Sequence, residues 1–411
     1  MKVNYYLFST FFILTMANAR AICYTKVGSL LLYLGYALLF YGITRSFVKT
    51  DYKYNKKYVL KNLFLTTFLL CIGIILQHFA IKRMLILLFT MFAIISTACM
   101  SDKFIKKATD FRSIAYGIVG GSISCAVLSL VNGIPLFGIS DEGVFGIYVC
   151  YNGGIQDKNV ATIMLAVIIS LIICNVVGNN KRKSDLIIIS LSFVIILASI
   201  SRGAWIHTAF FLCILKYKSI TKMDKKTRIF AAIIVGGAVL ALSVFLFKNV
   251  FSNSRTYMYR VRGWTNYIRM FGNDKRIMLI GNGKIAYDQG EDYTRAIRSV
   301  TGWDGTLEIA WLNILIKNGL IGIVGFIILF WRALKEAFKC EDKNIKRIYL
   351  AVTLTLIITS FVATYISNSR QLLGIFSYLV MSYFKGKINQ KDDEGVMSFF
   401  IKQKIQGEKY G

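Results

Sequence analysis

Long apolar runs separated by polar connections dominate this sequence. A helix needs about 20 mainly apolar residues to cross the hydrocarbon core of a bilayer. Runs approaching this length lie at 4–20, 27–44, 62–80, 84–100, 114–134, 160–178, 186–201, 203–217, 229–247, 317–332, 348–366 and 371–384. The pattern predicts an all-α, polytopic transmembrane bundle of about twelve spans.

The composition agrees with a membrane protein. Of the 411 residues, 55% are hydrophobic and 17% are charged, and the mean hydropathy is +0.55. A soluble domain of this size would not tolerate that composition. The formal charge is +29 at pH 7, and in a membrane protein such an excess indicates basic cytoplasmic loops. We therefore expect no nucleic-acid partner.

The basic residues predict the orientation of the spans. Lysine and arginine cluster in alternate connections, which are 45–61, 103–112, 181–183, 216–228, 332–347 and the tail after Lys385. Cytoplasmic loops are enriched in these residues. All the clusters fall on one side if the number of spans is even, which places both termini in the cytoplasm. The apolar segment from Tyr5 to Ala17 is then a retained first span rather than a cleaved signal peptide.

These assignments divide the chain into four parts. The parts are spans 1–9 in residues 1–247, a large extracytoplasmic loop in 248–306, an interfacial helix and spans 10–12 in 307–384, and a cytoplasmic tail in 385–411. Cys23 and Cys150 are the cysteines that could form a disulfide outside the membrane. The cysteines and histidines show no metal-ligand spacing, so we expect neither a metal nor a cofactor.

The first candidate functional residue is Arg202, which lies between two apolar runs in the segment Ser201–Trp205. A guanidinium so near hydrocarbon is costly unless it is solvated or paired. The topology places Arg202 at the exterior end of the seventh span, in a tight turn that Gly203 and Ala204 would permit. Its partner would be an exterior anion at the headgroup level. Alternatively, the side chain simply snorkels to the interface and caps the preceding span.

The large exterior loop brings further arginines next to aromatic residues. Arg260 and Arg262 lie within the segment Tyr257–Trp264. Planar guanidinium groups suit phosphate oxygens, and aromatic faces suit sugar rings or the arginines themselves. The combination predicts a sugar-phosphate site. Attraction of the loop to anionic lipid headgroups is the alternative explanation of its charge.

Two weaker signals lie on either side of this segment. The sequence Gly281-Asn282-Gly283 predicts a turn that brings backbone N–H groups near an anion held by the arginines. His207 lies deeper in the eighth span than Arg202, without a partner at ligand spacing. We interpret it as a residue that forms a hydrogen bond between helices.

Two carboxylates lead into the tenth span. Asp304 and Glu308 are four residues apart, so they share one face if the segment is helical. One of them could act as a general base near the membrane surface, or both could pair with neighbouring arginines. The segment from Glu308 to Ile316 is predicted to form the interfacial helix.

These motifs resemble the O-antigen polymerase and O-antigen ligase superfamily of bacterial membrane glycosyltransferases. Members carry an arginine in a run similar to Ser201–Trp205 at the exterior end of a span, and a large exterior loop follows. That loop opens with an arginine before a tryptophan, which resembles Arg260 and Trp264, and runs to a turn similar to Gly281–Gly283. The next span begins with a run similar to Lys317–Gly322.

The resemblance covers approximately residues 155–335 and implies a GT-C-like enzyme in the bacterial cytoplasmic membrane. Its donor and acceptor would be oligosaccharides linked to undecaprenyl diphosphate. Transfer would invert the anomeric centre and would need no metal. Membrane lipids and a chain-length regulator would be its other partners.

The resemblance also implies roles for individual residues. Arg202 and Arg260 would bind the donor diphosphate, and Arg262 would assist them. Glu308 or Asp304 would deprotonate the acceptor sugar hydroxyl. The other substrate-binding residues would be Trp205, Trp264, Trp303, Gly281 and Gly283.

One departure from the family pattern bears on the reaction. Ligases usually have a histidine at the position of Glu308, and the loop 248–306 contains no histidine. This favours a polymerase that joins repeat units of O-antigen, capsule or exopolysaccharide. The alternatives are ligase-type transfer to a terminal acceptor and transport of lipid-linked oligosaccharide, although a transporter would place its charges midway along the spans.

Overall fold

A computed structural model describes residues 4–49, 56–77, 81–141, 147–156, 159–221, 255–282, 309–361 and 363–388. Its helices are α1 (Tyr5–Met16), α2 (Lys26–Lys49), α3 (Lys56–Leu76), α4 (Ile81–Met100), α5 (Asp110–Val131), α6 (Asn159–Val176), α7 (Lys183–Ala198), α8 (Arg202–Thr221), α9 (Arg255–Phe271), α10 (Lys275–Ile280), α11 (Ala310–Lys339), α12 (Lys343–Thr359) and α13 (372–388). The all-α prediction is confirmed. Each predicted apolar run coincides with one of these helices, except 229–247, which lies outside the described residues.

Five helical segments of the described chain are long and apolar enough to cross a membrane. They are Lys26–Lys49, Met84–Lys103, Ala108–Val131, Asn159–Val176 and Ala310–Lys339. Shorter apolar helices lie in α1, α3 and α8. The structure is therefore consistent with a membrane protein, and the number of about twelve spans stays a prediction.

Small residues allow α1 and α5 to pack closely. A Cβ at Gly117 would lie 2.4 Å from the carbonyl oxygen of Phe8, and a Cβ at Gly121 would lie 2.9 Å from that of Phe12. Small residues four positions apart commonly let membrane helices approach each other. Helix α5 also packs against α6, and α6 against α7. Because α6 is buried along almost its whole length, it lies at the centre of the fold.

The connection between α5 and α6 contains a short β-hairpin that the apolar pattern does not predict. Strand β1 (Phe137–Asp141) pairs antiparallel with β2 (Ile147–Tyr151). The chain that follows reaches the end of α1, where the N–H of Arg20 donates to the carbonyl oxygen of Gly154 at 2.8 Å. Both of these segments belong to the side that the charge pattern assigns to the exterior.

One local prediction is wrong. No disulfide joins Cys23 to Cys150, and the thiol of Cys150 instead donates to the carbonyl oxygen of Gly138 at 3.5 Å. The predicted interfacial helix is the first part of α11, and residues 309–316 are all buried. The interfacial position of this segment stays a prediction. A break at Gly319 separates this buried segment from the rest of α11.

A buried ion pair joins α5 to the start of α7. Nη2 of Arg112 donates to Oδ2 of Asp185 and to the carbonyl oxygen of Asn180, both at 2.6 Å. The two charged side chains are only 5% and 0% exposed. The charge pattern identifies Arg112 merely as one of several cytoplasmic charges. Loss of either partner would leave a buried charge unpaired, which is costly.

We expect Arg112→Ala to lower the free energy of unfolding by about 3–5 kcal/mol, because it leaves the Asp185 carboxylate buried without its cation. Thermal unfolding of the purified protein in detergent measures the loss. The matched control is Lys183→Ala, which removes an exposed cation from the same turn of α7. Equal stability of the two variants would contradict a structural role for the pair.

Candidate functional site

Arg202 is the first residue of α8, directly after a tight turn. The turn is made by Ile200, whose φ of 49° lies in the left-handed region. Gly203 and Ala204 belong to the first turn of α8. The prediction that these two residues permit the turn is therefore wrong. The side chain of Arg202 lies outside the described residues.

Trp205 holds the start of α8 against the end of α7. Its indole Nε1 donates to the carbonyl oxygen of Ile196 at 2.9 Å, and its backbone N–H donates to that of Ser201 at 2.9 Å. These two bonds stabilise the turn that contains the strained Ile200. The indole is 38% exposed. Its N–H thus has a structural partner, while part of the ring surface remains accessible to a ligand.

The end of α12 and the connection after it contact the first two turns of α8. Nδ1 of His207 lies 3.0 Å from Oγ1 of Thr359, which confirms the predicted hydrogen bond between helices. The ring of His207 also packs edge to face against Tyr365, with centroids 5.7 Å apart. The Tyr365 hydroxyl reaches the surface of α8 at Gly203, where a Cβ would lie 3.5 Å from it. Arg202 is the residue before Gly203.

The same connection also holds the start of α11. The N–H of Ala310 donates to the carbonyl oxygen of Ser360 at 3.0 Å. The ring of Trp311 packs against Phe361, with centroids 5.9 Å apart. The segment from Thr359 to Tyr365 therefore contacts the beginnings of both α8 and α11.

Four predicted site residues lie outside the described residues, and they are Gly283, Trp303, Asp304 and Glu308.

Helix α9 carries Arg260, Arg262 and Trp264. The two arginine side chains lie outside the described residues. Trp264 is half-buried and packs against the hydrophobic core, and Tyr267, one turn later, is fully buried. Burial raises the pKa of the Tyr267 hydroxyl. Helix α9 therefore presents this face to the protein, and Trp264 retains only part of its ring surface for a ligand.

The described part of the loop ends in a turn at Gly281, whose φ is 94°. The N–H of Gly281 donates to the carbonyl oxygen of Ile277 at 2.8 Å, and the N–H of Asn282 donates to that of Ile316 at 2.7 Å. The sequence pattern assigns these donors to a bound anion. In the structure they bond carbonyl groups of the protein, and the second bond attaches the loop to α11.

Helix α11 is broken where α10 meets it. Gly319 has φ 67° and ψ −169°, which is not helical, so neighbouring carbonyl groups need other donors. The side-chain amide of Gln77, after the end of α3, supplies them. Its Nε2 donates to the carbonyl oxygen of Lys317 at 2.9 Å and also to that of Ile280. A single amide thus joins α3, α10 and α11.

Three residues of this region were missed at the sequence level. Gln77, Thr359 and Tyr365 are distant in sequence from the residues they contact, and none belongs to a recognisable motif.

No protein-family model and no curated protein sequence matches the chain. Among the described residues, no group of three or more His, Cys, Asp or Glu side chains could hold a metal ion.

We expect Gly319→Ala to destabilise the attachment of the loop by about 2 kcal/mol. A Cβ there would lie 2.2 Å from the carbonyl oxygen of Leu279, and the positive φ strains any other residue. Faster protease cleavage of the loop 248–306, which the charge pattern assigns to the exterior, measures the effect in right-side-out vesicles. Gly120→Ala is the control, because a Cβ there meets its nearest atom at 3.4 Å. Unchanged cleavage in Gly319→Ala would refute the role of the break.

Proposed function

We propose that this protein is a bacterial cell-surface polysaccharide polymerase. It would join oligosaccharide repeat units linked to undecaprenyl diphosphate on the outer face of the cytoplasmic membrane. The supporting observation is that α8, which begins at Arg202, and α11, which follows Asp304 and Glu308, both start at the segment from Thr359 to Tyr365. A cation for the leaving group and a base for the acceptor must face the same small volume.

The leaving group of the proposed reaction is a diphosphate. Arg202 stands at the N-terminus of a helix of 20 residues, which carries about half a unit of positive charge. A diphosphate at the headgroup level would interact with the guanidinium and with this helix end. Both would stabilise the charge that develops on the leaving oxygen, so transfer would need no metal. Arg260 and Arg262, from α9, would bind the same group.

The proposed base is Glu308 or Asp304. Because Glu308 precedes Ala310 by two residues, chain connectivity keeps the two Cα atoms within about 8 Å of each other. Ala310 is bonded to Ser360, beside the residue that contacts His207. The carboxylate would take the proton of the acceptor hydroxyl as its oxygen attacks the anomeric carbon. The bond from that carbon to the diphosphate would break on the opposite face, with inversion.

The remaining site residues would bind the sugars. Trp205 and Trp264 retain accessible ring surface that could pack on a sugar ring, and Trp303 would add a third aromatic face. Gly281 would contribute by fixing the loop, since its N–H is engaged within α10, and Gly283 would continue this turn. The three tryptophans would select an oligosaccharide, while the arginines would select its lipid diphosphate.

The alternative functions differ in their products. A polymerase converts purified lipid-linked repeat units into a ladder of longer glycans on the lipid. A ligase instead makes one transfer to a separate terminal acceptor, and a transporter releases the donor unchanged on the other side of the membrane. Incubation of the purified protein in vesicles with lipid-linked repeat units distinguishes the three.

We expect Arg202→Lys to reduce polymer formation at least about a hundredfold, because lysine keeps the charge but loses the planar fork. Gel analysis of the glycan ladder measures the loss. The matched control is Arg20→Lys, at an exposed arginine in the connection after α1, on the side assigned to the exterior. Full-length polymer from cells that carry Arg202→Lys would exclude the proposed role.

We expect Glu308→Gln to abolish transfer while donor binding is retained, since glutamine cannot accept the proton. The control is Glu341→Gln, which changes an exposed carboxylate in the connection between α11 and α12. Donor binding and turnover are measured separately on the purified variants. Unchanged turnover in Glu308→Gln would move the base to Asp304, which the corresponding Asp304→Asn variant checks.

A further inference from the structure

We propose that a basic cavity, on the side that the charge pattern assigns to the cytoplasm, binds a phosphate group. The cavity lies between the connection from α4 to α5 and the end of α13, and its volume is about 230 Å³. Lys106, Tyr383 and Lys387 are among the residues that line it. The phosphate would belong to a lipid headgroup of the adjacent leaflet or to a soluble phosphorylated compound. The inference does not rest on the proposed function, whose site is assigned to the opposite side.

The cavity offers positive charge to a ligand. Its lining side chains comprise three lysines and one aspartate, a net charge of +2. Lys106 is exposed and Lys387 is half-buried, and neither forms an ion pair within the described part of the chain. The carboxylate of Asp110 instead accepts from the backbone N–H groups of Lys106 and Lys107, at 3.2 and 3.1 Å. The two ammonium groups can therefore bind an anion, and lysine commonly binds phosphate as a point charge.

The position of the cavity fits the level of lipid headgroups. Its lining residues 102–106 join the end of one candidate span, Met84–Lys103, to the start of the next, Ala108–Val131. So short a connection between two spans stays close to the membrane surface. Lysine side chains near the ends of spans extend to this level, and tyrosine is enriched there. Basic pockets between spans on the cytoplasmic side bind anionic headgroups.

Close packing forms the inner wall of the cavity. A Cβ at Gly386 would lie 2.9 Å from the carbonyl oxygen of Asp102, so the glycine lets the end of α13 approach this connection. Tyr383, one turn earlier, packs edge to face against Phe111, with centroids 5.1 Å apart. The hydroxyl of Tyr383 is buried and has no hydrogen-bond partner among the described residues. Such a hydroxyl is uncommon, and a phosphate oxygen in the cavity is the kind of acceptor that it lacks.

The cavity is also large enough for the proposed ligand. A water molecule in the liquid takes up about 30 Å³. A volume of about 230 Å³ therefore has room for a phosphate group together with part of its hydration shell. The ligand would connect the end of α13 to the segment between α4 and α5.

Binding to the full-length protein in a neutral detergent tests the inference, with dioctanoyl phosphatidylglycerol and inorganic phosphate as probes at constant ionic strength. We expect the double variant Lys106→Gln with Lys387→Gln to bind the tighter probe at least about tenfold more weakly, because two hydrogen bonds to a charged group are lost. The matched control is Lys335→Gln with Lys343→Gln, which removes two exposed cations near the connection between α11 and α12. It should bind both probes as the wild type does.

The two probes distinguish the sources of the phosphate. Tighter binding of phosphatidylglycerol than of inorganic phosphate assigns the cavity to a lipid headgroup, and the reverse order assigns it to a soluble phosphorylated compound. Dioctanoylglycerol has the same chains without the phosphate, and its binding should not depend on the two lysines. Equal affinities of the two double variants for both probes would overturn the inference, as would a wild-type protein that binds neither probe. Either result would leave the proposed function intact.

Discussion

A backbone that leaves helical geometry inside a membrane protein has to find new partners for its polar groups, because lipid offers none. The break in α11 at Gly319 meets this constraint at Lys317, whose carbonyl oxygen accepts from a side-chain amide. Gln77 donates to the carbonyl oxygen of Lys317 at 2.9 Å, and Asn318 donates to that of Leu70 at 2.9 Å. Both amides link α11 to α3. The irregular geometry is thus stabilised by contacts that also fix the position of the loop segment carrying α10.

The connection between α12 and α13 meets the same constraint with hydroxyl groups. The hydroxyl of Tyr36, in α2, donates to the carbonyl oxygen of Ser369, and that of Tyr378 donates to Ile366. These bonds hold a non-helical segment in one conformation, and Tyr365 lies within it. The starts of α8 and α11 both contact this segment. The candidate site therefore depends on a connection that contains none of its recognised motifs.

The predictions that succeeded rest on local signals. Apolar runs predict helices because burial in lipid or protein requires them, and the isolated His207 in a span predicts an interhelical partner. The turn at Ile200 has no such signal, since a β-branched residue rarely adopts a left-handed conformation. The pairing of Arg112 with Asp185, like the contact of Tyr365 with α8, depends on the order in which the helices pack. No short stretch of the sequence indicates which helices pack next to each other.

The starts of α8 and α11 differ in one backbone contact that bears on the two roles proposed for them. The first N–H of α11, from Ala310, is already bonded to the carbonyl oxygen of Ser360. At α8, the first intrahelical bond is the one from Trp205 to Ser201, so the N–H groups of the first three residues precede it. The carbonyl oxygen of Ser360 therefore makes the start of α11 less attractive to an anion than an uncapped helix start would be. Under the proposed function, the charged donor would bind at Arg202, and the neutral acceptor hydroxyl would approach from the α11 side.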